Sequence, residues 1–146
     1  MAEGAGQTAV KFVVVLNKNL EVGKALNAAA HMAAGLVARA DPESVKDMMF
    51  IPFLDKDGGE HPSISALSLI VLRGTSGEIR KVRKEALSHG VIFTDFTSSM
   101  TGDTYIEQLE RTKATAEQDL EYYGICLFGR KETLDEFTRK LSLWRS

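Results

Sequence analysis

What most limits the fold of this chain is the junction between an apolar run, Val10 to Leu16, and the alanine-rich stretch after it, Leu20 to Val37. The first run is rich in valine and does not alternate, the pattern of a central strand covered on both faces. Asn17 to Val22 supplies the turn, and the next segment suits a helix, since alanine has the highest helix propensity. At about 100° per residue, Leu26, Ala29, Ala30, Ala33, Leu36 and Val37 fall on one side, and Lys24, Asn27, His31 and Gly35 on the other. This division predicts an alanine-lined packing face that can lie close against a sheet, and a polar edge left for solvent or chemistry.

Lys24 and His31 stand about two turns apart near the start of this helix. The first backbone N–H groups of a helix have no internal partner and carry the positive end of its dipole, so they receive an anion or a developing oxyanion well. A lysine there is mildly unfavourable for the helix itself, which marks Lys24 as a candidate functional residue. The plain alternative is that Lys24 and His31 are ordinary exposed side chains, as both residue types usually are.

The remaining chain alternates between strands and helices. Met48 to Leu54 reads as a strand, Asp55 to Glu60 as hairpin-turn chemistry, and Leu67 to Leu72 as a further strand. A helix is expected from Gly77 to Ser88, with Ile79, Val82 and Ala86 inward, a basic face of Arg80, Lys81, Arg83 and Lys84, and a stop at His89-Gly90. Val91 to Phe96 is the next strand, and its end carries Asp95 into a polar loop holding Thr97 and Ser99. Loops at strand ends are where open α/β sheets bind ligands. Asp95 can equally be a turn residue or a cap. Thr101 to Leu120 reads as an irregular or partly helical excursion, Tyr123 to Phe128 as the last strand, and Lys131 to Leu143 as the last helix. Leu134, Phe137 and Leu141 face inward in that helix, and Trp144 is expected to seal an edge of the core. The fold class is therefore α/β, with a mixed four- to five-stranded sheet flanked by helices, the Asp-Gly-Gly hairpin being what makes the sheet mixed. Residues 1–8 are expected to be a flexible tail, and residues 9–146 a single domain.

Several function classes drop out. With 44% hydrophobic and 26% charged residues the chain has the composition of an ordinary soluble domain. A net charge of −2 and a pI near 5.9 give no general attraction to nucleic acid. No stretch approaches a membrane span or a signal peptide, so no membrane partner is expected. The single cysteine, Cys126, lies in an apolar run and suits a reducing, cytoplasmic setting. The Asp55–Glu60 loop lacks the calcium-ligand spacing of an EF-hand, and His31, His61 and His89 are too scattered for zinc. Gly23-Lys24 lacks the rest of a phosphate-binding loop, and no serine-nucleophile or dinucleotide motif is present. Neither a metal nor a cofactor is expected.

Three stretches carry a resemblance. Val10 to Leu36, with Asn-Leu-Glu-Val-Gly-Lys and Ala-Ala-Ala-His, resembles the opening of type II peptidyl-tRNA hydrolases. Leu67 through Asp95 resembles that family's next unit, and Gly124 to Leu143 its closing strand, turn and helix. The sequence is closer still to the domain-of-unknown-function 2000 family, bacterial proteins that share this fold and have no settled activity. The resemblance implies a type II peptidyl-tRNA hydrolase-like sheet and a homodimer. It also implies a catalytic set of Lys24, His31 and Asp95 around a shared cleft, with Gly23, Asn27, Thr97 and Ser99 as ligand-binding candidates. The hydrolase glutamine falls on Ala28, its threonine on Gly124, and its Asp-Ala-Gly on Asp95-Phe96-Thr97, while Met48 to Ser65 reads as an insertion. Two readings follow: hydrolysis of an ester or amide in a small acyl or aminoacyl substrate, or a non-catalytic ligand-binding or regulatory module of the same fold. A tRNA partner is the less favoured one for so acidic a chain.

Overall fold

In the computed structural model, which describes residues 9–145, β1 (Val10–Asn17) is the centre of the molecule: every residue from Lys11 onward is buried. Its valine run is covered on both faces because helices lie on each side of the sheet. It pairs in parallel with β4 (Leu69–Gly74) and antiparallel with β6 (Tyr122–Arg130). β5 (Ile92–Thr97) adds outside β6, and the short β7 (Ser142–Leu143) outside β4, giving the order β5-β6-β1-β4-β7. The sheet is mixed and five-stranded, within the expected range.

One face holds α1 (Val22–Arg39), packed over β5, β6 and β1, with the short α2 (Pro42–Asp47) after it. Phe12, Val14, Leu16, Cys126 and Phe128 meet it from the sheet. The other face holds α3 (Ser76–His89) and α5 (Lys131–Thr138), over Val13, Val15, Leu72, Ile125 and Leu127. Ile79, Val82 and Ala86 are buried as the helical spacing predicts. α3 opens with a reciprocal Thr75–Glu78 capping box and closes on Gly90 at φ 66°, a left-handed conformation that glycine adopts without a steric penalty. Residues 98–120 include a second helix with a capping box, α4 (Tyr105–Lys113), begun by Thr104 and Glu107.

Three expectations change. The packing face of α1 is Ala25, Ala28, Met32 and Leu36, while Leu26 is 63% exposed and Ala30 is exposed. A helix this rich in alanine has little contrast between its sides, and its rotation is set by what it must fit. Gly124 leaves room for Met32, and Gly35 lies beside Thr94, whose hydroxyl donates to the Met32 carbonyl at 2.7 Å. Secondly, the Asp-Gly-Gly hairpin forms its own two-stranded sheet of β2 (Phe50–Leu54) and β3 (Glu60–Ser65), and the antiparallel character of the main sheet comes from β5, β6 and β7. Thirdly, the last helix ends at Thr138. The chain then satisfies the open edge of β4, with the Trp144 N–H donating to the Val71 carbonyl at 2.9 Å, pairing that a continued helix would leave unmade. Trp144 packs against the α1-side core, as an edge seal should. The expected tail, residues 1–8, lies outside the described residues.

A Cβ built on Gly124 would stand 2.7 Å from the Met32 Cε and 3.0 Å from the Val15 carbonyl oxygen. Gly124→Ala is therefore expected to cost about 1–3 kcal/mol and Gly124→Thr more, because backbone as well as Met32 must move. Urea denaturation of the two variants against the parent measures this.

Candidate functional site

The end of β1 sets up the site. Asn17 is buried, its side-chain amide donates to the Tyr122 carbonyl at 2.8 Å, and its amide oxygen accepts from the Asn19 N–H at 2.9 Å. One side chain thus ties the start of β6 to the turn that launches α1. The first turns of α1 border a cleft of about 550 Å³. Gly23, Lys24, Asn27 and His31 line it from the helix, with Glu21 just before it. Phe96 and Tyr123 line it from the sheet, and Met100, Thr101, Gly102 and Gln108 from the segment that passes over it.

Tyr123 reaches the cleft through an irregularity in strand pairing. Phe96 pairs with Gly124 but Thr97 pairs with Tyr122, so Tyr123 is the extra residue of a bulge. Bulges turn a side chain away from its regular direction. Tyr122 consequently packs in the α3-side core while the next residue, Tyr123, packs on the α1 side. The result is a row of three rings. His31 lies 5.8 Å from Phe96, centroid to centroid, and Phe96 lies 6.2 Å from Tyr123 with the planes 18° apart. At the helix end Glu21 is the N-cap residue but makes no capping hydrogen bond, and the first turn contains no acidic residue. Neither Glu21 nor Lys24 has an ion-pair partner among the described residues. The cleft therefore offers free helix N–H groups, one amine, one carboxylate, the Asn27 and Gln108 amides, and an aromatic wall.

Asp95 is not there. On β5, Thr94 and Phe96 face α1, so Asp95 points to the opposite face of the sheet, where the Arg83 Nε donates to its carboxylate at 2.8 Å. Lys24, His31 and Asp95 do not surround one cleft: the first two line it, and the third lies beyond the sheet. Thr97 and Ser99 also lie outside the lining. Their hydroxyls hydrogen-bond to each other at 2.7 Å, and Thr112 donates to Ser99 at 2.8 Å, which fastens α4 to the end of β5. Of the residues not singled out in the sequence, Phe96 was adjacent to a candidate. Tyr123 depends on the bulge, which has no local signature.

Nor are Arg80 and Arg83, on the basic side of α3, free charges. Arg80 pairs with Glu117 at 3.0 Å, donates to the Leu120 carbonyl and lies over the Tyr122 ring, while Arg83 lies over Phe93. The Tyr122 hydroxyl donates to Glu117 at 2.8 Å. Burial, and then this hydrogen bond to a carboxylate, push the phenol up to about 12. Burial alone pushes the Cys126 thiol up to about 12, which leaves it without thiolate character. Among the described residues no cluster of three or more His, Cys, Asp or Glu could hold a metal ion. No helix among the described residues is long and apolar enough to cross a membrane.

A mixed α/β sheet with helices on both faces and a cleft at the start of its first helix is the class this geometry defines. The chain belongs to the DUF2000 family, proteins of unknown function, whose pattern it matches over residues 10–145. It is similar to a solved protein of unknown function from Agrobacterium tumefaciens strain C58, with 19% identity, a TM-score of 0.80, and coverage of 95% of this chain and 100% of that one. At that identity the likeness establishes the fold. No curated protein matches the chain.

Asp95→Asn keeps the shape but weakens a charged pair whose acid side chain is only 15% exposed, so it is expected to lower stability by about 1–3 kcal/mol, read from thermal unfolding. The raised phenol of Tyr122 favours its protonated form in the fold; that stabilisation is complete below the ordinary value of 10 and is lost as pH rises to about 12. Tyrosinate absorbance of the parent minus that of Tyr122→Phe should accordingly show its step near pH 12.

Proposed function

We propose that this protein binds a small acyl or aminoacyl compound in the cleft beside α1, on a fold of the type II peptidyl-tRNA hydrolase kind. The observation that carries the reading is the pairing of unlike surfaces in one cavity: the free amine of Lys24 and the uncapped helix end on one side, the stacked rings of Phe96 and Tyr123 on the other. A carboxylate or carbonyl oxygen is received at Lys24 and the helix N–H groups. Glu21 provides the opposite charge for an ammonium, so an amino-acid head fits both. The apolar body lies along the rings, and Asn27 and Gln108 offer both hydrogen-bond donors and acceptors to an amide.

Binding without turnover is the better-supported form. Hydrolysis needs a group to activate water and a partner to orient that group. His31 lines the cleft, but Asp95, the acid expected beside it, is held by Arg83 on the other face of the sheet. A second reading, ester or amide hydrolysis with His31 as base and Lys24 as oxyanion holder, is favoured by one fact: both line the same cavity at the helix end. A tRNA-borne substrate is disfavoured by the pI near 5.9 and by the engagement of Arg80 and Arg83 within the fold.

Titration calorimetry with a panel of N-acyl amino acids and aminoacyl esters tests this. Lys24→Ala is expected to weaken the best ligand about tenfold, roughly 1.4 kcal/mol, and His31→Ala less, while Asp95→Asn leaves affinity unchanged. Absence of binding across the panel, or binding indifferent to Lys24, would refute the reading. Ester turnover by pure protein that His31→Ala abolishes would establish the second one instead.

A further inference from the structure

A second, smaller hollow of about 250 Å³ adjoins the cleft, lined by Met100, Tyr105, Gln108, Leu109 and Thr112. Met100 and Gln108 line both, so they form the common wall. The rest of the groove belongs to α4, a helix with no buried residue. Tyr105 and Leu109 stand one turn apart on the same side of it, 71% and 64% exposed. The apolar stripe of a helix is ordinarily turned into a core, and here it is left open beside a cavity.

The two hollows differ in chemistry. The cleft presents the amine of Lys24, the carboxylate of Glu21 and the uncapped end of α1. In the groove the polar groups are directed elsewhere. The Thr112 hydroxyl is taken up by Ser99 and the Gln108 carbonyl, and the Gln108 side-chain amide donates to the carbonyl of Gly102, a residue that borders the cleft and not the groove. What remains to line the groove is Met100, Leu109, the Tyr105 ring and the stem of Gln108. Such a surface offers little to a sugar, a phosphate or a peptide group, and it gains by covering hydrocarbon.

We propose that the ligand of the cleft is an amphiphile, a straight-chain acyl group of medium length on an acidic or amino-acid head. The head lies at Lys24, and the chain runs along Phe96 and Tyr123 and past Met100 into the groove of α4. This rests on the ligand-binding reading of the cleft and adds the class of acyl group. Continuity argues for it, because the groove opens off the same two residues that close the cleft. Size argues for it as well. Two exposed side chains fall far short of the about 800 Å² that each partner gives to a stable protein interface, but they match the width of one hydrocarbon chain. At about 30 Å³ for a group the size of a water or a methylene, the groove takes roughly eight carbons. Met100 is suited to the passage, since an unbranched side chain with three rotatable bonds yields readily to a neighbour.

Calorimetry with N-acetylglycine, N-hexanoylglycine and N-decanoylglycine, each below its micelle concentration, tests the chain separately from the head. Full burial of a methylene is worth about fourfold in affinity, and a groove that covers one side of the chain about twofold, so the decanoyl compound should bind about 200-fold tighter than the acetyl one. Leu109→Asp should remove at least tenfold of that gain and leave the acetyl compound unchanged, with unaltered far-UV circular dichroism. Tyr105→Ser does the same at the other end of the groove should the charged variant unfold α4. Lys24→Ala should weaken every member by the same factor. Lys24-dependent binding that is flat across the series overturns the inference and leaves the reading of the cleft standing. A chain-length gain that survives both groove variants, or decanoyl binding indifferent to Lys24→Ala, overturns it too, the first because the chain lies elsewhere and the second because the head does. If no member binds, the reading of the cleft falls and the inference with it.

Discussion

The close approach of α1 to β6 at Gly124 is the constraint from which most of this structure follows. A glycine opposite Met32 lets the helix settle onto the sheet, with Gly35 beside Thr94 and the Thr94 hydroxyl on the Met32 carbonyl. These contacts turn Ala25, Ala28, Met32 and Leu36 inward. The same rotation brings Lys24, Asn27 and His31 to the edge facing Phe96 and Tyr123. Had the alternative alanine stripe faced the sheet, the polar edge would have moved away from the cleft. The rotation of one helix therefore decides both the packing of the core and the chemistry at its rim.

The two faces of the sheet divide the labour. On the α1 side the end of β5 and the bulge of β6 leave a cavity with uncompensated polar groups. On the α3 side the same strands are locked by charge: Asp95 to Arg83, Glu117 to both Arg80 and Tyr122, with guanidinium groups over the Phe93 and Tyr122 rings. That network braces β5 and β6 from behind. Asp95 thus supports the strand whose next residue, Phe96, forms part of the cleft wall. Gly124 itself occupies a position where a threonine side chain would collide with Met32.

Much of the architecture was legible because its signals are local. The valine run marked β1, the spacing of Ile79, Val82 and Ala86 gave the buried face of α3, and His89-Gly90 marked its end. The Thr104-x-x-Glu107 capping box was also present in the sequence and announces α4, although the weak amphipathicity of residues 101–120 obscured it. Leu141 and Leu143 continue the apolar pattern of the last helix past its end at Thr138; the pull of an open β4 edge is not a local quantity.

The sequence by itself determined most of the strands and helices, that the chain is of the α/β class, and that Gly23, Lys24, Asn27 and His31 gather along one edge of one helix. Periodicity, propensity and turn chemistry act over a few residues, so they can be read in order along the chain. Only the tertiary structure decided which side of a nearly uniform alanine helix meets the sheet, that Tyr123 is swung into the cleft, and that Asp95 lies behind it. Each of those depends on pairing between residues far apart in sequence: Met32 with Gly124, Phe96 with Gly124, and Asp95 with Arg83 across from α1. Strand alternation says that Asp95 opposes its neighbours, but which face carries the cleft is settled only when the helices have packed.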